Sequence, residues 1–329
     1  MKKSLTFGII ALIITFSFCC QPVGAADTWP KGKKITCLVP FAAGGSVDNM
    51  ARQLLKYWEP ALGTTMLVTN RDGASGLLGT EVFLKQPKDG SYVFIATQPY
   101  QSAGIILQGA KYSLDDFAAI NFQQFDPVTV AVHADSDYKT WDDLLADIKA
   151  RPGQVKCGTQ PGGAPHLGSI VIQERFGADY REVMYDSGNG YRTALLGRHV
   201  DFVVSTSSGD RSLGDKGRVL AIFGSKRSVT FPDTPTFNEI MNVADFPNLG
   251  AARLVAVHKE LKQKYPQRFQ KLVETYKKAY EDPAYVKFRE TSGESSFSNY
   301  YGPEESDKIN QEIHKTFLQY KSRIEALNN

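Results

Sequence analysis

The chain has 329 residues, 42% of them hydrophobic and 22% charged, an ordinary globular composition that excludes a disordered or collagen-like protein. Lys plus Arg number 38 against 35 Asp plus Glu, a net charge of +3, and a body so close to neutral speaks against nucleic acid as the main partner. The length allows about two domains, each with a full core.

The N-terminus reads as an export signal over residues 1–25. Lys2 and Lys3 are followed by a mostly apolar stretch at 5–20, and Val23-Gly24-Ala25 supplies small residues for cleavage. The stretch falls short of the roughly 20 residues that span a bilayer. Cys19 and Cys20 raise lipid anchoring as an alternative, although Phe18 makes a poor lipidation context for either. No second apolar run of this length follows, so the sequence predicts a periplasmic protein.

In the mature chain, residues 35–41 (ITCLVPF) read as a buried strand, which Ala42-Ala43-Gly44-Gly45 breaks. Ser46 is placed to cap a helix whose apolar face is Val47, Met50, Ala51, Leu54, Leu55 and Trp58, ending at Gly63. Strands are predicted at 66–69 and 92–96, with a helix between them through Glu81 and Lys85 and a turn at 87–90. A polar loop is expected over 97–102. Further strands are predicted at 128–132, 155–158, 181–185, 200–204, 218–223 and 252–257, the earlier ones alternating with helices that start after Thr140, before Leu167 and near Gly188. From residue 267 the chain reads as helical, with breaks at Asp282-Pro283 and Gly302-Pro303. This alternation implies an α/β fold of parallel sheets covered by helices, in two stretches of about 30–128 and 129–250.

Several strands run into loops rich in Gly, Ser or Thr that open helices, at 42–46, 97–103, 159–165 and 186–190. Ligands of open α/β sheets bind at the carboxyl ends of strands, where helix N-termini present free N–H groups and a partial positive charge. Such an array suits a carboxylate or phosphate, although each glycine also has the plain role of making a tight turn. The five histidines (His133, His166, His199, His258, His314) show no HxH or HExxH spacing, so no metal is implied. GxSxG and the P-loop pattern are absent, and Gly188-Asn189-Gly190 is followed by Thr193 where a dinucleotide fingerprint needs glycine. No cofactor is expected. His166, at a helix start, can donate to an anion or can cap and pack. Asp48, in the first helical turn, can favour the helix dipole or orient the glycine loop. Arg253 can pair with a carboxylate or make an interdomain bridge. Cys37 and Cys157 read as two separate buried thiols, with a disulfide as the alternative.

ITCLVPFAAGGSVDNMARQL after Trp29-Pro30 resembles the opening of the substrate-binding receptors of tripartite tricarboxylate transporters, the Bug or TctC-like family. The resemblance continues through Val68, Asn70, Arg71, Gly73, Ala74, Gly76 and Gly79, then Pro87, Asp89, Gly90 and Tyr92, and again over 183–201. It implies a two-domain periplasmic binding protein (type II, Venus flytrap) with two interdomain crossovers: residues 29–128 plus 253–329 as domain one and 129–252 as domain two. It also implies a small organic anion as ligand, integral membrane transporter subunits as partners, a monomer, and no enzymatic activity. Carried over by position, Phe41, Ala43, Gly44, Gly45, Ser46 and Asp48 form the first ligand loop, and Thr97, Gln98 and Tyr100 the second. Thr159, Gln160 and His166 approach from the other domain. Asp186, Ser205 and Thr206 stand where the family usually has other residues, so this wall of the pocket departs from the common pattern. Presentation of the ligand to a sensor kinase and a periplasmic hydrolase are the alternatives to transport.

Overall fold

The helix expected after the first glycine loop forms as α1 (Ser46–Leu62), and the six apolar residues of its stripe are all buried. Gly63 ends it in the left-handed conformation at φ 74°, which costs a glycine no Cβ clash. The N-cap is Gly45, not Ser46, and no side chain caps the helix. The computed structural model describes residues 28–224, 226–322 and 325. The expected export signal, with Cys19 and Cys20, lies outside the described residues.

Before α1 comes β1 (Lys34–Val39), and after it β2 (Thr65–Asn70), α2 (Leu77–Leu84), β3 (Tyr92–Gln98), α3 (Tyr100–Leu107) and β4 (Phe117–His133). Then follow α4 (Trp141–Ala150), β5 (Lys156–Thr159), α5 (Ala164–Phe176), β6 (Arg181–Met184), α6 (Gly188–Leu196), β7 (Phe202–Thr206), α7 (Ser207–Asp210), β8 (Gly217–Ile222) and α8 (Phe237–Met241). The chain continues through β9 (Gly250–His258), α9 (Lys259–Lys264), α10 (Pro266–Tyr280), α11 (Pro283–Ser292) and α12 (Gly302–Gln319).

The strand order is β2-β1-β3-β9-β4-β7-β5-β6, with β8 also on β4. β1 pairs in parallel with β2 and β3, and β5 with β6 and β7. The expectation of purely parallel sheets fails at β4 and β9. β9 is antiparallel to both β3 and β4, and β4 is antiparallel to β7 and β8. These two strands are not linked to their neighbours by strand-helix-strand crossovers, so nothing forces them parallel. The first half of β4 pairs with β9, and the second half, from Val128, pairs with β7 and β8. One continuous strand therefore belongs to both sheets.

The apolar residues divide accordingly. Ile35, Trp58, Leu272 and Tyr276 pack on one face of the first sheet, and Phe83, Phe94, Phe122 and Leu254 on the other. Val130, Leu144, Ile170, Phe202 and Phe237 form the main core of the second lobe, with a smaller cluster around Tyr191, Leu195 and Val203. α12 serves both lobes: Ser306 and Asn310 are buried against the first, while Phe317 and Tyr320 join the core of the second. Cys37 and Cys157 are separate free thiols, both buried.

The first half of β4 escaped the sequence pattern because it buries polar residues. Asn121, Gln123 and Gln124 are each at most 1% exposed. The C-terminal segments supply their partners. Asn121 accepts from the backbone N–H groups of Tyr301 and Gly302 and donates to the Tyr276 hydroxyl and the Asn299 carbonyl. Gln123 donates to Tyr285 and accepts from Tyr276, and Gln124 donates to Glu294. Asn121→Ala strands two backbone donors and should lower unfolding free energy by on the order of 3 kcal/mol, measured by urea denaturation.

Candidate functional site

The glycine loop after β1 is held from below. Gly44 adopts φ 78°, a conformation glycine enters freely, and its N–H donates to Asp48 Oδ2 at 2.8 Å. Arg52 Nε donates to the same oxygen at 2.9 Å, and Asn70 donates to Asp48 Oδ1 at 3.0 Å and also to the Phe41 carbonyl. These hydrogen bonds hold the buried Asp48 carboxyl below the usual range against the opposing effect of desolvation, which is the largest single influence. Both oxygens are engaged within the protein, so Asp48 shapes the loop and is not turned toward a ligand. Ala43, Gly44, Gly45 and Ser46 are exposed above it, and Phe41 is half-buried.

The expected polar loop over 97–102 is instead the end of β3 and the first turn of α3. Its side chains fall into two sets. Gln98 and Ser102 are fastened to α12: Gln98 donates to Asn310 at 2.6 Å and accepts from the Ser102 N–H, and the Ser102 hydroxyl bonds His314 Nδ1 at 3.0 Å. Gln98 is thus a support, not a free ligand-binding group. Thr97 and Gln101 are equally buried, at 4% and 3% exposure. Among the described residues, the Thr97 hydroxyl and both amide atoms of Gln101 have no hydrogen-bond partner. They line a small cavity, too tight in this conformation to admit a water molecule, together with Phe41, Ser75, Gly76 and Tyr100. The Tyr100 ring meets Phe41 edge-on at 5.6 Å, and its hydroxyl reaches across to Gly163. The Arg253 side chain stands directly opposite Thr97 across the β3–β9 pair, on the same face. Its Nε is likewise unpartnered, while Nη1 donates to Gln124. Gln101 lies within the 97–103 loop expected to face the ligand but is not picked out inside it, and Arg253 reads as pairing with a carboxylate or making an interdomain bridge. The signal that finds Gln101 is a glutamine in the first turn of a helix that directly follows a strand.

The second lobe contributes Thr159, whose hydroxyl is buried and unpartnered. Gln160 Nε2 donates to the Asp186 carbonyl at 3.2 Å, joining two loops, while the Asp186 side chain is exposed. Ser205 is buried and bonded to Arg192 and Tyr191, and Thr206 beside it is half-buried. His166 turns into the packing of α5. Its Nδ1 accepts from the Gly162 N–H, and Nε2 faces Glu182 at 3.8 Å. Burial pushes its pKa down to about 4, so the ring is neutral at pH 7, the Glu182 contact is not an ion pair, and His166 offers an anion no charge.

A larger cavity of about 750 Å³ opens on the second lobe among Asp135, Asp143, Asp147, Arg151, Arg198 and Asp201. It lies by the start of β7, away from the strand carboxyl ends, and its acids repel an anion, so the small cavity is the better site. Among the described residues no group of three or more His, Cys, Asp or Glu is placed to hold a metal ion.

Known proteins agree with this architecture. A family model described as tripartite tricarboxylate transporter family receptor matches residues 50–328. The glycine loop that carries the motif most readily seen by eye lies just ahead of that span. BugT of Bordetella pertussis is 29% identical over 246 residues, 73% of this chain and 75% of its own. Among solved structures, a TctC solute-binding protein from Polaromonas superposes with a TM-score of 0.75 at 22% identity, covering 91% of this chain and 100% of that one. MatC from Rhodopseudomonas palustris, solved with bound malate, gives 0.71 at 17% identity, covering 89% and 99%.

Two outcomes follow from this geometry. Gln101→Leu removes an unsatisfied buried amide without changing the shape much, so ligand-free stability should hold or rise by about 1 kcal/mol while ligand affinity falls at least about tenfold; denaturation and calorimetry read the two separately. His166 should make the protein acid-sensitive. Its folded pKa of about 4 lies below the ordinary 6.5. The unfolded chain therefore binds the proton first, and stability that is full above about pH 6.5 is lost as pH falls toward 4, by up to about 3 kcal/mol. His166→Gln should flatten that acid limb in melting curves taken across this range.

Proposed function

This chain belongs to the tripartite tricarboxylate transporter family of receptors, and we propose that it captures a small carboxylate outside the cytoplasm and presents it to a pair of membrane transporter subunits. The observation that carries the ligand class is the set of buried donors without partners: the Thr97 and Thr159 hydroxyls and the Gln101 amide. A buried polar group left unpaired costs about 1–3 kcal/mol, and a carboxylate accepting from several such groups recovers that cost at once. Arg253, buried beside Thr97, adds a positive charge on the same face. The exposed N–H groups of the glycine loop stand at the N-terminus of α1, where the helix dipole favours an anion. The malate bound to the similarly folded MatC is of the same chemical class.

Lobe one is taken as residues 29–128 with 253–329 and lobe two as 129–252, the chain crossing between them in β4 and β9. Hinge motion about these strands would close the lobes on the ligand, and the closed form is what a membrane partner recognises. No helix among the described residues is long and apolar enough to cross a membrane; in this reading the membrane subunits are separate chains and the receptor is a monomer.

Thermal unfolding against a panel of mono-, di- and tricarboxylates tests the reading. A ligand at about 100 times its Kd adds roughly 2.7 kcal/mol, which for a protein of this size raises Tm by on the order of 5–10 °C. A shift of that size for one acid is expected. No shift for any acid, with a clear shift for neutral solutes, would overturn the carboxylate assignment.

A further inference from the structure

Arg192 is 8% exposed and sits in the first half of α6. Helical side chains lean toward the helix N-terminus, and its guanidinium accordingly lies back over Gly188. Two glycines make room for it. A Cβ at Gly188 would stand 2.7 Å from Nη1, and a Cβ at Gly209 would stand 1.6 Å from Nη2. Nε donates to Asp210 at 3.1 Å, and Nη2 donates to the Ser205 hydroxyl at 2.9 Å and to the Tyr191 hydroxyl at 3.5 Å. Asp210 is 2% exposed and takes a further hydrogen bond from Thr129 at 2.6 Å. The pair is therefore oriented on every side but one: among the described residues Nη1, the corner beside Gly188, has no hydrogen-bond partner.

That corner belongs to the ligand side of lobe two. Gly188 opens α6 right after Asp186, whose carbonyl is tied to Gln160. The Tyr191 hydroxyl is bonded to Arg192 and Ser205; Tyr100, whose ionisation is disfavoured first by burial and further by the neighbouring Tyr191, lines the small cavity. Asp210 neutralises the guanidinium without using up its donors.

We propose that Arg192 is a specificity-determining residue whose free Nη1 edge takes the second carboxylate of a dicarboxylic acid held at its first carboxylate by Thr97 and Gln101. The proposal rests on the carboxylate-receptor reading above and narrows it to diacids. Nη1 is open to solvent in this structure; when the lobes close, a monoacid cuts it off from water unpaired, whereas a diacid satisfies it with a charge-assisted hydrogen bond.

Calorimetric titration with succinate, glutarate and adipate, each against the monoacid of equal chain length, tests this on the wild type and two variants. The double variant Arg192→Gln with Asp210→Asn removes both charges together, so no uncompensated ion is left buried. Gly188→Ala keeps both charges and crowds Nη1. Ligand-free melting curves report whether each variant is folded. The wild type should prefer one diacid by about tenfold or more, and each folded variant should lose that preference while its monoacid affinity stays within about twofold. Retention of the preference in both variants, or a wild type that binds monoacids as tightly, overturns the role of Arg192 and leaves the receptor reading standing. A wild type that binds no carboxylate at all overturns both.

Discussion

Burying a side-chain amide without a hydrogen bond costs about 1–3 kcal/mol, and this protein buries such groups on both sides of its central strands. On β4 the cost is met from within. Asn121, Gln123 and Gln124 take partners from Tyr276, Tyr285, Glu294 and the backbone at 299–302. The C-terminal helices are placed by those bonds as much as by their apolar faces. At the end of β3 the same accounting stays open. Thr97 and Gln101 are as deeply buried, yet find no partner among the described residues. Other buried atoms among the described residues also lack partners, Trp141 Nε1, Asn238 Oδ1, Arg289 Nη1 and Ser298 Oγ among them; Thr97 and Gln101 differ in standing together at the carboxyl end of a strand and the start of the next helix.

α12 connects the two situations. Asn310 and His314 fix Gln98 and Ser102, each the residue that follows an open donor in the strand-to-helix junction, while Phe317 and Tyr320 are embedded in the second lobe. The donors are thus presented from a scaffold that touches both lobes. Tyr100, reaching from lobe one to Gly163, sits at the meeting line. Closure on a ligand would change few internal hydrogen bonds of either lobe and would mainly pair groups that are now unpaired, which is how a small ligand can bias a two-state hinge.

Much of the fold was legible from periodicity and punctuation. The stripe of α1, the Gly63 stop, the Thr140 cap of α4 and the short strands of both lobes all follow from local sequence. What escaped was non-local. The first half of β4 reads as a mixture of Asn, Gln and Pro, because its polar residues are paid for by a tail about 180 positions away. The antiparallel course of β9 is likewise a matter of topology, invisible in its own residues. Within the site, the glycine loop was legible because backbone geometry constrains residue type. Asp48 was legible as important, but its direction was not, since an acid at a helix start looks the same whether it faces a loop or a ligand. His166 was legible as a candidate donor but not its charge: burial keeps the ring neutral, and with Nδ1 accepting from Gly162 its Nε2 is left without a hydrogen-bond partner among the described residues. Gln101 and Arg192 lie inside stretches the sequence singled out, 97–103 and 183–201, but nothing local marked them as ligand groups within those stretches: what distinguishes Gln101 is a buried amide without a partner, and what distinguishes Arg192 is its place between two glycines.

The central claim is that the unpartnered donors at the β3–α3 junction are the ligand's anchor. A crystal structure of the protein grown with the carboxylate that most raises its Tm tests this directly. The account predicts carboxylate oxygens within hydrogen-bond distance of the Thr97 hydroxyl and the Gln101 amide. A ligand bound elsewhere, with Thr97 and Gln101 still unpaired, would contradict it.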